Sequence, residues 1–355
     1  MDDMQKTRIA TYIDDHFDEE VVFLQALVRA PSDNPPGDCT PHALLAAGLL
    51  EQMGFEVERY EVPPDVAAAH GMVSATNLIV RQSFGSGGPT IALNAHGDVV
   101  PPGDGWTHDP YGAEIVDGWM FGRGAAVSKS DYATYTFALR ALQASGMNLN
   151  GTVELHFTYD EETGGMTGPG WLLAQKLTQP DFVISAALSY NVIVAHNGCL
   201  HLEVAVRGLS AHAGRPETGH DALEASTSIL PEDVEAETRA VIARAAAGLD
   251  GITVEIKQVL LARPFAPVPG SDALAQMLCR HASDIMGEAV TPAGVPLYTD
   301  ARLYAEAGIP TAMFGAGPHS VLEANGHRAD ERVALSDLRK ATNVVARSVA
   351  ELLGS

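Results

Sequence analysis

Basic residues are scarce in this chain: 22 lysines and arginines stand against 45 aspartates and glutamates over 355 residues, a formal charge of −23. Nucleic acid and anionic membrane surfaces both need clustered Lys and Arg, so neither is expected as a partner. Cysteine is almost missing. Cys39, Cys199 and Cys279, widely spaced and odd in number, argue against a disulfide framework and fit a reducing, cytoplasmic setting. No stretch approaches the roughly 20 apolar residues of a membrane span. The opening MDDMQKTRIATYIDDHFDEE has neither the basic nor the apolar region of a secretory signal. What is present is a globular composition, 46% hydrophobic with 34 glycines. The length suits two domains at about 150 residues each.

Up to about residue 190 apolar runs alternate with helical periodicity, the pattern of an α/β fold. Thr40-Pro41 reads as a helix start, with Leu44, Leu45, Leu49, Leu50 and Met53 recurring at helical spacing. FEVERYEV, NLIV, TIALNA and GTVELHFTYDEE read as strands, and KSDYATYTFALRALQASG as a helix stopped by Gly146. From about 199 the character changes. LHLEVAVRG alternates cleanly, as in an antiparallel sheet wetted on one face, and a helix and a second strand follow. ARPFAPVPGSD reads as a linker back to the helix-then-buried-strand pattern. The expected organisation is therefore one α/β domain, residues 1–198 and 265–355, interrupted by a small α+β insertion at 199–264.

The chemistry-bearing positions lie at strand ends. His96 follows TIALNA directly, and Asp98, two residues on, is placed to hydrogen-bond one imidazole nitrogen and leave the other for a metal. Glu161 and Glu162 end another strand and point in different directions, so one can bind a cation while the other faces substrate. Asp160 adds a third acid, and three unpaired carboxylates at a buried edge call for a neutralising cation. His327 sits in a loop after FGAG, at the same edge. His212, in GLSAHAGRP, belongs to the insertion and could reach a site as a proton or oxyanion donor. Arg302 is either a partner for a substrate carboxylate or a structural ion pair with Asp300.

NAHGDVVP, GRGAAVSKSD, YDEETGG, GLSAHAGRPETGHDAL, TDARLYAEAGIPTAMFGAG and GHRADERV stand in the order and rough spacing of the dinuclear zinc aminoacylase/carboxypeptidase family. The resemblance implies a metallopeptidase-like mixed-sheet catalytic domain carrying two metals, with a smaller lid that also dimerises. It implies His96 as the first metal's histidine, Asp98 as the acid orienting it, and Glu161 as general base. Glu162 and His327 become the ligands of the other metal, and His212 the lid histidine. The chain departs from that pattern at two acids. Val127 stands where the family's bridging aspartate falls, with Gly122-Arg123-Gly124 and Lys129 keeping the register, and no acid occurs between Asp181 and Glu203, near Ala187, where a further ligand is expected. The lid is also short by some tens of residues.

Two cations a few ångströms apart need shared anionic charge, so the loss of two acids argues for a single metal. His96, Glu162 and His327 with an open water position are a sufficient set for one Zn, Mn or Co ion. Asp131, one helical turn beyond Val127, is a possible substitute. The expectation is a metal-dependent hydrolase of an amide or related C–N bond in a small molecule, such as an N-acyl amino acid or a dipeptide, acting as a homodimer or higher homo-oligomer. The alternatives are a degenerate member that only binds an amide-bearing ligand, and a hydrolase of a non-peptide C–N bond such as an aryl amine.

Overall fold

The computed structural model describes residues 1–211, 235–247, 251 and 253–354. The chain forms two compact units, one made of Met1–Asn197 with Pro264–Ser355 and the other of Gly198–Arg263.

In the larger unit, helices α1 (Asp3–Asp15), α2 (Phe17–Arg29) and α3 (Thr40–Gln52) precede strand β1 (Val57–Glu61), the short helix α4 (Pro64–Ala69), and strands β2 (Thr76–Phe84) and β3 (Thr90–His96). A β-hairpin, β4 (Glu114–Val116) and β5 (Trp119–Phe121), leads through a glycine-rich loop to α5 (Lys129–Ala144). Then come β6 (Gly151–Thr158), α6 (Pro169–Ala174), β7 (Phe182–Ser185) and β8 (Val192–His196). In the smaller unit the described elements are β9 (Cys199–Arg207), α7 (Glu235–Ala246) and β10 (Thr253–Ala262). The larger unit resumes with α8 (Ser271–Met286), β11 (Pro292–Val295), α9 (Ala301–Glu306), β12 (Thr311–Met313), β13 (Arg332–Ala334) and α10 (Leu335–Leu353).

Eight of the described strands form one mixed sheet in the order β1-β2-β6-β3-β7-β12-β8-β11. Its centre, β6-β3-β7-β12, is parallel. Both faces of this centre are covered, as a parallel sheet requires. Ile91, Leu93 and Ala95 of β3 enter the main core, to which α5 and α10 also contribute, whereas Ala92 joins Val183, Tyr304 and Ile309 on the opposite face. That alternation follows from the two-residue period of a strand. Four parallel strands thus deliver their carboxyl ends to one edge. In the smaller unit β9 and β10 pair antiparallel, with Leu202, Val204 and Val206 half-buried and His201, Glu203 and Arg207 exposed. No described helix is long and apolar enough to cross a membrane.

Helix α3 keeps three of the five expected apolar positions at the core, with Leu50 buried and Leu49 and Met53 packed against the main cluster. It buries His42, Ala43, Ala46, Ala47 and Leu50, and leaves Leu44 and Leu45 51% and 39% exposed. The small alanines let the helix approach β2 closely. The His42 imidazole fixes the rotation, with one nitrogen 2.8 Å from the Tyr159 hydroxyl and the other 3.2 Å from the Leu27 carbonyl. Thr40 lies inside the first turn and pairs with the Thr76 hydroxyl, and Cys39 occupies the cap position.

One core contact carries a pH dependence. Glu20 of α2 is fully buried with one carboxylate oxygen unpartnered and the other 2.5 Å from the Thr342 hydroxyl. Thr342 also donates to Leu338, so its oxygen is free to accept from a neutral Glu20. Burial pushes its carboxyl up to about 8. A folded-state value above the unfolded one means that stability is greatest at low pH and is lost as pH rises from the ordinary glutamate range through 8. At about 1.4 kcal/mol per pH unit this is roughly 4–5 kcal/mol. Glu20→Gln should therefore leave urea stability at pH 5 nearly unchanged and raise it at pH 8. Equal effects at both values would refute the assignment.

Candidate metal centre

His96 is the last residue of β3 and Asp98 follows it at the parallel edge. The His96 Nδ1 atom lies 3.0 Å from the Asp98 carbonyl and 3.4 Å from its carboxylate, leaving Nε2 directed toward Glu161 at 3.8 Å. Asp98 is completely buried. Its carboxylate accepts from the Asn34 amide at 2.9 Å and from the backbone N–H groups of Glu161 and Glu162 at 3.3 and 3.2 Å. One side chain therefore fixes the imidazole and both glutamates' backbone. Burial raises the Asp98 carboxyl, but the contacts with His96 and Asn34 outweigh it and hold it below the usual range.

Glu161 and Glu162 open a single 3-10 turn after β6. Asp160 does not join them. It adopts a left-handed backbone with φ of 116° and turns its carboxylate away, accepting from Thr167 at 2.5 Å and Gly168 at 2.9 Å. It thereby anchors the Gly164-Gly165 loop instead of adding charge to the site. The glutamates' carboxylates stay on the site side. Among the described residues, His96, Glu161 and Glu162 form one group able to hold an ion, with ligand atoms within 4.8 Å of one another. His327 is held beside them, its Nε2 3.2 Å from Glu162 Oε1. That oxygen is buried, and its carboxylate lifts the His327 imidazole above its ordinary value, so the two groups form a charge pair beside the cluster. Burial raises the Glu161 carboxyl strongly, and Glu162, Asp300 and Asp98 add to this against His96. Burial presses the His96 imidazole down, yet Glu161, Asp98 and Glu162 together lift it well above its ordinary value. The cluster carries excess negative charge that a cation would neutralise.

Val127 is set in this wall by Glu331. The Glu331 carboxylate accepts from the backbone N–H groups of Ala126 and Val127, each at 3.1 Å, and pairs with Arg123 at 2.5 Å. Val127 lines the cavity, as does Ala187 after β7. Both positions where the family resemblance calls for an acid are thus apolar. Asp131, the possible substitute, lines the same cavity but stands outside the His96–Glu161–Glu162 group.

The cavity has a volume of about 670 Å³. Asp300 lines it, an acid that the sequence offered only as a partner for Arg302. Burial lifts the Asp300 carboxyl to about 7, with Asp98 also raising it against His96 and Arg302. Arg302 itself is 3% exposed and does not line the cavity: its guanidinium donates to the Gly164 carbonyl at 2.5 Å and meets Glu306 at 3.4 Å. Its geometry is that of a structural anchor, so the expected role toward a substrate carboxylate gains no support, and its ion-pair partner is Glu306, not Asp300. His212 lies outside the described residues. No aromatic signal pointed to Tyr298, which lines the cavity and donates its hydroxyl to the Glu162 carbonyl at 3.1 Å.

A mixed sheet with His and paired carboxylates at its parallel edge defines a metallopeptidase-type α/β protein. The chain matches the model of "Peptidase family M20/M25/M40" over residues 92–351 and belongs to that family. It is 34% identical over 214 residues to a succinyl-diaminopimelate desuccinylase of Acidiphilium cryptum, covering 58% of this chain and 53% of that protein. A desuccinylase of Methylobacterium nodulans is 31% identical over 301 residues, covering 80% of this chain and 70% of that one. Against the first of these the chain spans about half of the relative's length. Among solved structures, an M20 family metallo-carboxypeptidase of Sulfolobus solfataricus superposes with a TM-score of 0.76 at 14% identity, covering 95% of this chain and all (100%) of that one. At that identity the likeness speaks to fold.

Proposed function

We propose that this protein is a metal-dependent hydrolase that cleaves an amide or related C–N bond in a small molecule at a centre of one divalent cation. The observation that carries the reading is the convergence of His96, Glu161 and Glu162 within 4.8 Å, with His327 against Glu162. His96, Glu162 and His327 would hold the ion. Zinc, manganese or cobalt each accept such a nitrogen and oxygen set. When bound, a cation of this kind polarises the scissile carbonyl and acidifies water.

The chain's own residues supply the rest. Asp98 keeps the His96 ring in one orientation and one tautomer, with Nε2 left as the ligating nitrogen. Glu161 takes the proton of the attacking water and returns it to the leaving nitrogen. In the smaller unit, the exposed side chains of Val259 and Leu261 on β10, 58% and 48% accessible, support a second copy as the partner of that sheet.

Metal analysis tests the centre. Protein reconstituted with zinc or manganese and desalted should carry about one ion per chain. His96→Ala and Glu162→Gln should each lower metal affinity by a factor on the order of 100 or more, while circular dichroism stays unchanged. Two tightly held ions per chain, or none after reconstitution, would overturn the single-cation reading.

A further inference from the structure

The described residues that line the cavity differ in the surface they keep. Asn94, Ser128 and Ser185 are buried and spend their polar atoms on the protein itself. The Asn94 carbonyl oxygen accepts from the Ser185 hydroxyl at 2.9 Å, and its amide donates to Thr158 at 3.2 Å. The Ser128 hydroxyl donates to the His96 carbonyl at 3.3 Å. Val127, Leu188, Val295, Leu297 and Val321 also line the cavity, and all five keep accessible surface, 39% at Leu297 and 43% at Val321. Two of the more open polar residues are already engaged. The Thr299 hydroxyl accepts from the Ala301 N–H at 3.3 Å, and His319 meets Glu288 at 3.0 Å while stacking on Tyr190. Asn191 and Ser320 interrupt a wall that, away from the metal cluster, is mostly hydrocarbon.

This hydrocarbon forms two walls. In one, the side chains of Val127 and Val321 close on Gly326, the residue before His327. A Cβ there would stand 3.6 Å from Val127 Cγ2 and 2.9 Å from Val321 Cγ1. In the other, Ala187 and Val295 pack against the hydrophobic cluster that contains Ile193 and Met313, and all four residues line the cavity. A group laid along either wall meets methyl and methylene groups. Each methylene it buries there gains free energy. A charged end laid on the same side chains would lose water and gain no hydrogen bond from them, since they have none to give.

We propose that the cavity takes an amide bearing, next to its scissile C–N bond, an uncharged hydrocarbon group, alkyl or aryl, seated against Val127, Val295, Leu297 and Val321. The proposal rests on the reading of this cavity as the hydrolase's substrate site and names the class of amide that fits it. An amide whose corresponding group ends in a carboxylate is the class it disfavours.

Hydroxamates test this without turnover, because they chelate a divalent cation through two oxygens and their chain must then lie along the cavity. Acetohydroxamate, hexanohydroxamate and adipic monohydroxamate, the last with a terminal carboxylate in place of the methyl, are titrated calorimetrically into the zinc-loaded protein at neutral pH. Hexanohydroxamate should bind about thirtyfold more tightly than acetohydroxamate, roughly two- to threefold for each added methylene. Adipic monohydroxamate should bind about tenfold or more weakly than hexanohydroxamate. The double variant Leu297→Ser, Val321→Ser changes only half-open positions. It should weaken hexanohydroxamate about fivefold or more and leave acetohydroxamate within about twofold. Equal affinities for the acetyl and hexanoyl ligands, or adipic monohydroxamate binding as tightly as hexanohydroxamate, would overturn the proposal and leave the metal centre standing. So would an unchanged hexanohydroxamate affinity in the double variant. Failure of acetohydroxamate to bind at all would instead remove the metal centre, and the proposal with it.

Discussion

Glu161→Gln should lower turnover of a susceptible amide by a factor of about 10²–10⁴ while the protein keeps its divalent cation. The separation of the two effects follows from the turn after β6. Glutamine has the shape of glutamate, and the backbone N–H of residue 161 still donates to Asp98. The positions of Glu162 and His96 are therefore preserved. What is lost is a group able to accept a proton beside the His96 Nε2 edge. The free carboxyl is held far above its usual range by burial and by Glu162. A bound cation opposes both effects and brings the base toward neutral pH, where proton transfer is most effective. The rate should therefore rise with pH through the titration of Glu161, and the glutamine variant should lose that limb along with its rate. Metal loss in Glu161→Gln would make the residue a ligand. Unchanged turnover with metal retained would remove it from the mechanism.

The second large effect falls on the loop that presents Val127. Glu331→Ala should destabilise the protein by about 3–5 kcal/mol, because it strands a buried charge. Arg123 is 1% exposed and Glu331 is completely buried, so neither can turn to water. Arg123 would keep its bond to the Pro102 carbonyl and its place over the Trp106 ring, with 5.3 Å between guanidinium carbon and ring centroid. The N–H groups of Ala126 and Val127 would lose their acceptor at the same time. Urea unfolding followed by tryptophan fluorescence reads this directly. Glu331→Gln, which keeps an acceptor for both amides, should cost less than the alanine variant. A loss below 1 kcal/mol for alanine would show that the ion pair is dispensable.

The strands and most of the site were legible in the sequence because burial and chemistry left separate marks there. TIALNA is a mostly apolar run since both faces of the sheet are covered, GTVELHFT alternates apolar with polar residues, and each ends on the residues that build the site. The antiparallel pairing of β9 with β10 was legible from the strict alternation at LHLEVAVR. Orientation was harder. Periodicity placed α3 and its Leu50, but Leu44 and Leu45 stay exposed while the structure turns inward a histidine and three alanines, which carry little hydrophobic signal. Asp160 and Arg302 failed for a related reason. Composition cannot say that a carboxylate curls back to cap a loop, or that a guanidinium is spent on a carbonyl 138 residues away. Asp300 became visible as a cavity wall only when the end of β6 was brought against it.

The sheet order also fixes when the centre can exist during synthesis. Strand β12 lies between β7 and β8, although it follows the whole smaller unit in the chain. A nascent polypeptide ending near Arg263 has made His96 and both glutamates but still exposes the open edge of β7. Unpaired edges of this kind recruit other strands. Asp300, His327 and Glu331 emerge last of all, so the ribosome must nearly finish the chain before the cavity closes. A premature stop in the final third would leave a sticky half-sheet without function, a burden for chaperones rather than a weakened enzyme.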